Sequence, residues 1–133
     1  MAVYNYKAGL GSVGSYQVSG VPWLTGSTNL VGGAEDRIEF PSVAKAVTII
    51  NTDPSNDDDI RIHYNSISAG DVYSGRHYVT LSSRRDSITL TIKCKEIYVS
   101  NPGLGASAYE LIAELTGISP NEMFPLTGSG LTD

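Results

Sequence analysis

The chain is predicted to be all-β, an antiparallel β-sandwich of jelly-roll-like type with an extended N-terminal arm and a C-terminal tail. Three observations carry this. Along residues 87–100, SITLTIKCKEIYVS, Ile88, Leu90, Ile92 and Cys94 alternate with Ser87, Thr89, Thr91 and Lys93. A period of two with β-branched residues on both faces marks a half-buried strand. Second, about eight short segments of this kind follow one another with turn residues between them, near 16–19, 37–40, 45–51, 60–64, 78–81, 87–94, 96–100 and 109–116. Third, 14 Gly and 8 Tyr, abundant Thr and Ser, and few runs of Leu, Ala, Glu and Lys favour β structure.

The elements are justified in order. Residues 1–34 hold one charged side chain, Lys7, and half of the glycines, with Tyr4, Tyr6, Tyr16 and Trp23 spread among them. Glycine loses most entropy on ordering, so such a segment needs outside contacts, and aromatic rings supply them. It is expected to be an arm on a neighbouring subunit or another protein, the alternative being a first strand, SYQVS, with loops on its own domain. Ile38 and Phe40 alternate with Arg37 and Glu39, and Pro41 is expected to end that strand. KAVTIIN at 45–51 is a buried strand, residues 52–59 (TDPSNDDD) form a turn, and Ile60, Ile62 and Tyr64 alternate with Arg61 and His63. The two strands are expected to pair across this acidic loop.

After a polar stretch, 65–75, a strand is expected at 78–81, and SSRRD leads into the long alternating stretch. At Lys95 and Glu96 its phase slips, so that Ile97 and Val99 carry the apolar face. A bulge or corner belongs there, in one bent strand or between two short ones. Asn101-Pro102-Gly103 is a turn. In YELIAELTGI, Tyr109, Leu111, Ala113 and Leu115 alternate as in a strand, although Ala, Glu and Leu also suit a helix; consistency with the other elements favours the strand. Residues 119–133 form a tail with Met123 and Phe124 as its large anchors. The expected division is an arm at 1–34, a sandwich at 35–118 and a tail at 119–133, with Tyr4, Tyr6, Tyr16, Trp23, Met123 and Phe124 as partner-binding residues.

Composition restricts function. A net charge of −5 offers no basic surface to neutralise phosphates, so nucleic acid is not an expected partner. No apolar run approaches a membrane span, and the start has no signal-peptide pattern. The lone Cys94 lies on an apolar strand face and reads as a small buried hydrophobe made in a reducing cytoplasm.

Candidate chemistry is thin. Asp53, Ser55, Asp57 and Asp59 have the spacing of a calcium loop, but Pro54, Asp58 and Tyr64 break the pattern, and a solvated acidic hairpin is expected instead. His63 and His77 have no second ligand at metal spacing, and His63 is expected to face solvent. No G-x-S-x-G elbow singles out a serine, the acids Asp71, Glu96 and Glu110 are scattered, and GLGSVG at 9–14 lacks the strand and helix of a nucleotide loop. Arg84-Arg85 is too small for a nucleic-acid footprint. No catalytic residue, cofactor or metal is expected.

GLGSVGSYQVSGVPWLTGS at 9–27, KCKEIYVSN and YELIAELTGI within 93–118, and the order of arm, sandwich and tail resemble small virion structural proteins of tailed bacteriophages, especially marine and cyanobacterial ones. The resemblance implies a non-enzymatic capsid decoration or cement protein on the head exterior. It also implies a homotrimer assembled in the host cytoplasm, with the major capsid protein or other virion proteins as partners. The alternative is a carbohydrate- or receptor-binding sandwich of a tail, neck or fibre, with Trp23 or Tyr73 lining a groove.

Overall fold

The structure, a computed structural model, describes residues 21–54 and 58–133. Its strands are β1 (Pro22–Leu30), β2 (Glu35–Asn51), β3 (Ile60–His63), β4 (Val79–Leu81), β5 (Ser87–Leu90), β6 (Cys94–Ser100) and β7 (Ser107–Leu115), followed by one 3-10 turn, Pro120–Glu122. All pair antiparallel in one curled sheet, ordered β1-β7-β2-β6-β3-β4, with β5 also on β2. The all-β antiparallel expectation is met at this level. Hydrogen bonding joins the seven strands into one sheet, not two.

The 17-residue β2 is the hub. Its first part, from Glu35 to Glu39, runs along β6; its second part lies between β7 and β5, with Thr48 opposite both Ile112 and Thr89. Pro41 does not end it. Between the pairs Glu39–Glu96 and Ala44–Cys94, five steps on β2 face two on β6, so Pro41 sits, exposed, in a bulge that asks no ladder bond of it. Lys95 lies opposite, where the phase slip in the sequence placed a corner. A further interruption at 91–93, with one extra residue between Leu90 and Cys94, separates β5 from β6.

The expected pairing of 45–51 with 60–64 is replaced by a crossover: β3 lies between β6 and β4. Among the described residues at the acidic loop, Asn51 and Asp53 are tied inward. Asn51 Nδ2 donates to Leu81 O at 2.9 Å and to Asp58 O at 3.3 Å, Asp53 N donates to Asn51 Oδ1, and Asp58 N donates to Asp53 Oδ2. Asn51 and Asp53 are buried, so the solvated reading fails for Asp53.

Pro22–Leu30, expected within the arm, is a strand on β7, from Pro22 opposite Glu114 to Leu30 opposite Ser107. Tyr4, Tyr6, Tyr16 and the strand expected at 16–19 lie outside the described residues. Gly26 permits the close approach of the two strands, since a Cβ there would stand 2.6 Å from Tyr109 O. β7 follows its sequence pattern: Tyr109, Leu111, Ala113 and Leu115 are buried, and Glu110, Ile112 and Glu114 are exposed.

The core lies inside the curl, where Ile38, Phe40, Val47, Ile49, Ile60, Ile62, Ile97, Val99 and the inward residues of β7 pack together. Burying such aliphatic side chains contributes roughly 1.5–3 kcal/mol each. Tyr109 reaches through it to donate to Asp36 at 2.8 Å, and burial together with that carboxylate raises its phenol pKa. Tyr109→Phe is expected to cost about 2 kcal/mol in denaturant unfolding, the net worth of a hydrogen bond to a charged group.

The tail lies on its own domain. Met123 is buried with Val43 and Ile118, Asn65 Nδ2 donates to Leu126 O at 2.6 Å, Lys95 Nζ to Met123 O at 3.2 Å, and Asp71 N to Thr132 O at 2.7 Å.

Candidate interaction surface

A sheet that buries one face leaves the other to be explained. On β7 the outward row is Glu110, Ile112 and Glu114; its neighbours are Gly26, Leu24 and Pro22 on β1, Ile50, Thr48 and Ala46 on β2, and Ser87 and Thr89 on β5. Leu24 is 73% exposed and Ile112 37%, and they stand directly opposite each other. Ile50 adds a half-exposed side chain to the shallow apolar hollow they line. Beyond it, Lys45, Ala46, Thr48, Thr89, Thr91, Lys93 and Glu114 border a wider groove of about 710 Å³, in which the Thr48 and Thr89 hydroxyls meet at 2.9 Å. Polar groups ring an apolar centre, the arrangement of a contact surface.

The predicted partner-binding residues divide. Trp23 is half-buried and meets Phe40 edge-on at 5.5 Å between ring centres, so most of its area serves its own core. Met123 is buried, which corrects its assignment as a partner contact: Val43 and Ile118 already cover it. Phe124, the next residue along the tail, is 54% exposed and remains available to a partner. Sequence reasoning missed Leu24 and Ile112. The signal for Ile112 was present, an isoleucine on the acidic phase of YELIAEL.

A second apolar point lies at the loop after β6. Leu104 is fully exposed and Val31, in the neighbouring turn, is 56% exposed. The two turns interlock, because a Cβ at Gly32 would fall 2.5 Å from Leu104 O. Asn101, buried at their centre, donates through Nδ2 to Leu30 O at 2.9 Å and Gly105 O at 2.6 Å, while its Oδ1 accepts from Gly103 N.

His63 is buried, contrary to the expectation that it faces solvent. Tyr98 stacks on its ring, Tyr73 closes edge-on, and Arg61 lies over Tyr73 and Tyr78, 4.9 and 4.2 Å from their centres, so the supposedly polar face of β3 is roofed. Its Nδ1 lies 2.6 Å from Asn65 O and its Nε2 2.8 Å from Ser100 Oγ. A carbonyl only accepts, so Nδ1 carries the proton, Ser100 donates to Nε2, and Tyr73 donates to Ser100. This serine–histidine pair is a closed structural chain, with both residues 1% exposed and out of a substrate's reach.

Burial lowers the His63 pKa, with the Asn65 carbonyl and Glu35 partly opposing. The unfolded chain therefore takes up a proton near its ordinary value of about 6.5 while the folded chain does not. Stability is fully present above that pH and declines below it, towards the lowered folded value. The urea midpoint is expected to fall between pH 7.5 and pH 5.5, and His63→Gln to flatten that slope.

Cys94 is buried, and burial, with a smaller effect from Glu96, pushes its thiol up to about 12. It is expected to stay unreactive towards a chromogenic disulfide reagent at pH 8 and to react fully in denaturant, followed by absorbance.

Among the described residues no group of three or more His, Cys, Asp or Glu is placed to hold a metal ion, and no helix is long and apolar enough to cross a membrane. Ser55 and Asp57 of the calcium-like spacing lie outside them. No protein-family model and no curated protein matches the chain.

Proposed function

We propose that this chain is a non-enzymatic virion structural protein, a capsid decoration or cement protein that binds the outer head surface and stabilises it. The observation that carries the reading is the outward row Leu24–Ile112 with Ile50 beside it, apolar side chains left uncovered among the described residues on a sheet that already has a core on its other face. Surface contact uses such a patch, with its polar rim, directly. The sequence resemblance supplies the setting: the major capsid protein or other virion proteins as partners, a capsid-surface location, and assembly in the host cytoplasm.

The jelly-roll-like sandwich is the finer reading of the fold. The bulge at Pro41 divides β2 into a half beside β6, β3 and β4 and a half beside β7, β1 and β5. A long strand that changes layer at a bulge is how two sheets share a corner.

The test is quantitative mass spectrometry of virus particles purified from the source of the sequence. The chain is expected in fixed ratio to the major capsid protein. Its absence from particles, with free protein in infected cells, would overturn the assignment.

A further inference from the structure

We infer that the outer edge of β1 is a self-association edge, pairing antiparallel with β1 of a second copy of this chain across a twofold axis. Its biological sense rests on the assembly role proposed above; its physical argument does not.

β1 ends the strand order, and among the described residues no strand lies beyond it. Leu115 N donates to Val21 O, so the odd-numbered residues of this stretch turn their backbone groups towards β7. In an antiparallel ladder the alternate residues turn theirs the other way. The N–H and C=O groups of Leu24 and Gly26 therefore point out of the open edge, where an extended strand is the partner that satisfies them in series.

This edge also lacks the usual guards. It is nine residues long, against three in β4 and four in β5, the other edge strands. PWLTGSTNL contains no charged residue. Its proline stands at the first position, and its bulge falls between Ser27 and Leu30, so residues 23–27 remain regular.

The occupant is chosen by complementarity. With Thr25 on the twofold axis, Leu24 of each copy stands opposite Gly26 of the other, in a hydrogen-bonded pair on the outer face. The side chain that is 73% exposed in one copy then lies over the position that has none in its mate. Gly26 is required by the approach of Tyr109 O, so this position carries no side chain to obstruct Leu24 of the mate. Neither copy brings a charge to the ladder, and the two Leu24–Ile112 rows join into one apolar strip. A contact of this length falls near or below the about 1,200 Å² typical of stable interfaces, so a weak dimer is expected. It is twofold, unlike the trimer that the resemblance implies.

The experiment is light scattering and sedimentation equilibrium on the full chain from about 10 µM to about 1 mM, a range that brackets weak association. Leu24→Lys and Leu24→Pro serve as edge variants, and far-UV circular dichroism checks the fold. Lysine changes an exposed side chain, whereas proline removes an outward N–H, a change edge strands accept. The expected result is a mass rising from 14.2 kDa towards twice that value, with both folded variants remaining monomeric. A monomer throughout the range, a threefold mass, or a dimer indifferent to both variants would overturn the inference, as would a dimer formed only after residues 1–20 are removed. None of these outcomes bears on whether the chain is found in particles, so the two readings fail separately.

Discussion

Replacing Ile49 by alanine is expected to lower the unfolding free energy by about 4 kcal/mol, whereas Leu24→Ala changes it by less than about 0.5 kcal/mol. Ile49 is fully buried on β2, where Leu111 of β7 stands on one side and Ile88 of β5 on the other. Three strands meet at that position, so none can move inward to fill the space without disturbing its own ladder, and the cost of a persistent cavity adds to the lost burial. Leu24 lies two strands away with its side chain in solvent. Urea unfolding at neutral pH measures both. A small loss at Ile49 would mean that β2 is not the hub of the core.

The second large effect is expected at Asn101. Asn101→Ala removes three hydrogen bonds at once and leaves Leu30 O, Gly105 O and Gly103 N without those partners, two of the bonds to carbonyls that cannot change role. At about 1 kcal/mol per bond, more where the stranded group stays dry, the expected loss is about 3 kcal/mol. The damage should be local as well as global. The turn carrying Leu104 and the turn carrying Val31 are held by the same amide, and Gly33 N and Asn101 N bond across the same junction. Hydrogen exchange in the folded variant is expected to accelerate at Gly33 and Gly103 before it does in β2 or β7.

What the sequence made legible follows from how local each signal is. β7 could be read because Tyr109, Leu111, Ala113 and Leu115 bury themselves on a single face, and the second half of β2 because KAVTIIN is a dense β-branched run. The slip at Lys95 was visible because a change of face leaves a mark in the pattern itself. β1 was not legible. Pro22, Gly26 and Asn29 have weak strand character and no regular apolar alternation marks the segment, so its strand state comes from lying along β7, about 85 residues away in sequence. The crossover was hidden for a related reason: nothing in residues 45–64 states that β3 will lie beside β6. His63 shows the same limit at one residue. Alternation put it on the polar face correctly, and only Tyr73 and Tyr98, brought in by the tertiary fold, make that face dry.

The candidate surface was partly legible. Ile112 broke the acidic phase of its strand, but Leu24 gained meaning only when the register placed it opposite. Met123 looked like an anchor for a partner because its tail is short of charge. Its own domain had a use for it.

On the reading proposed above, this protein works by surface contact through the outer face of its sheet. The most direct measurement of the proposed role is co-sedimentation of the purified chain with heads of virus particles purified from the source of the sequence, comparing the natural sequence with the double change Leu24→Ser, Ile112→Ser. Saturable binding of the natural chain, weakened at least about tenfold by the double change while the fold is retained, is the predicted result; that factor corresponds to about 1.4 kcal/mol, less than two buried aliphatic side chains supply. Heads that bind neither form, or bind both equally well, would contradict it.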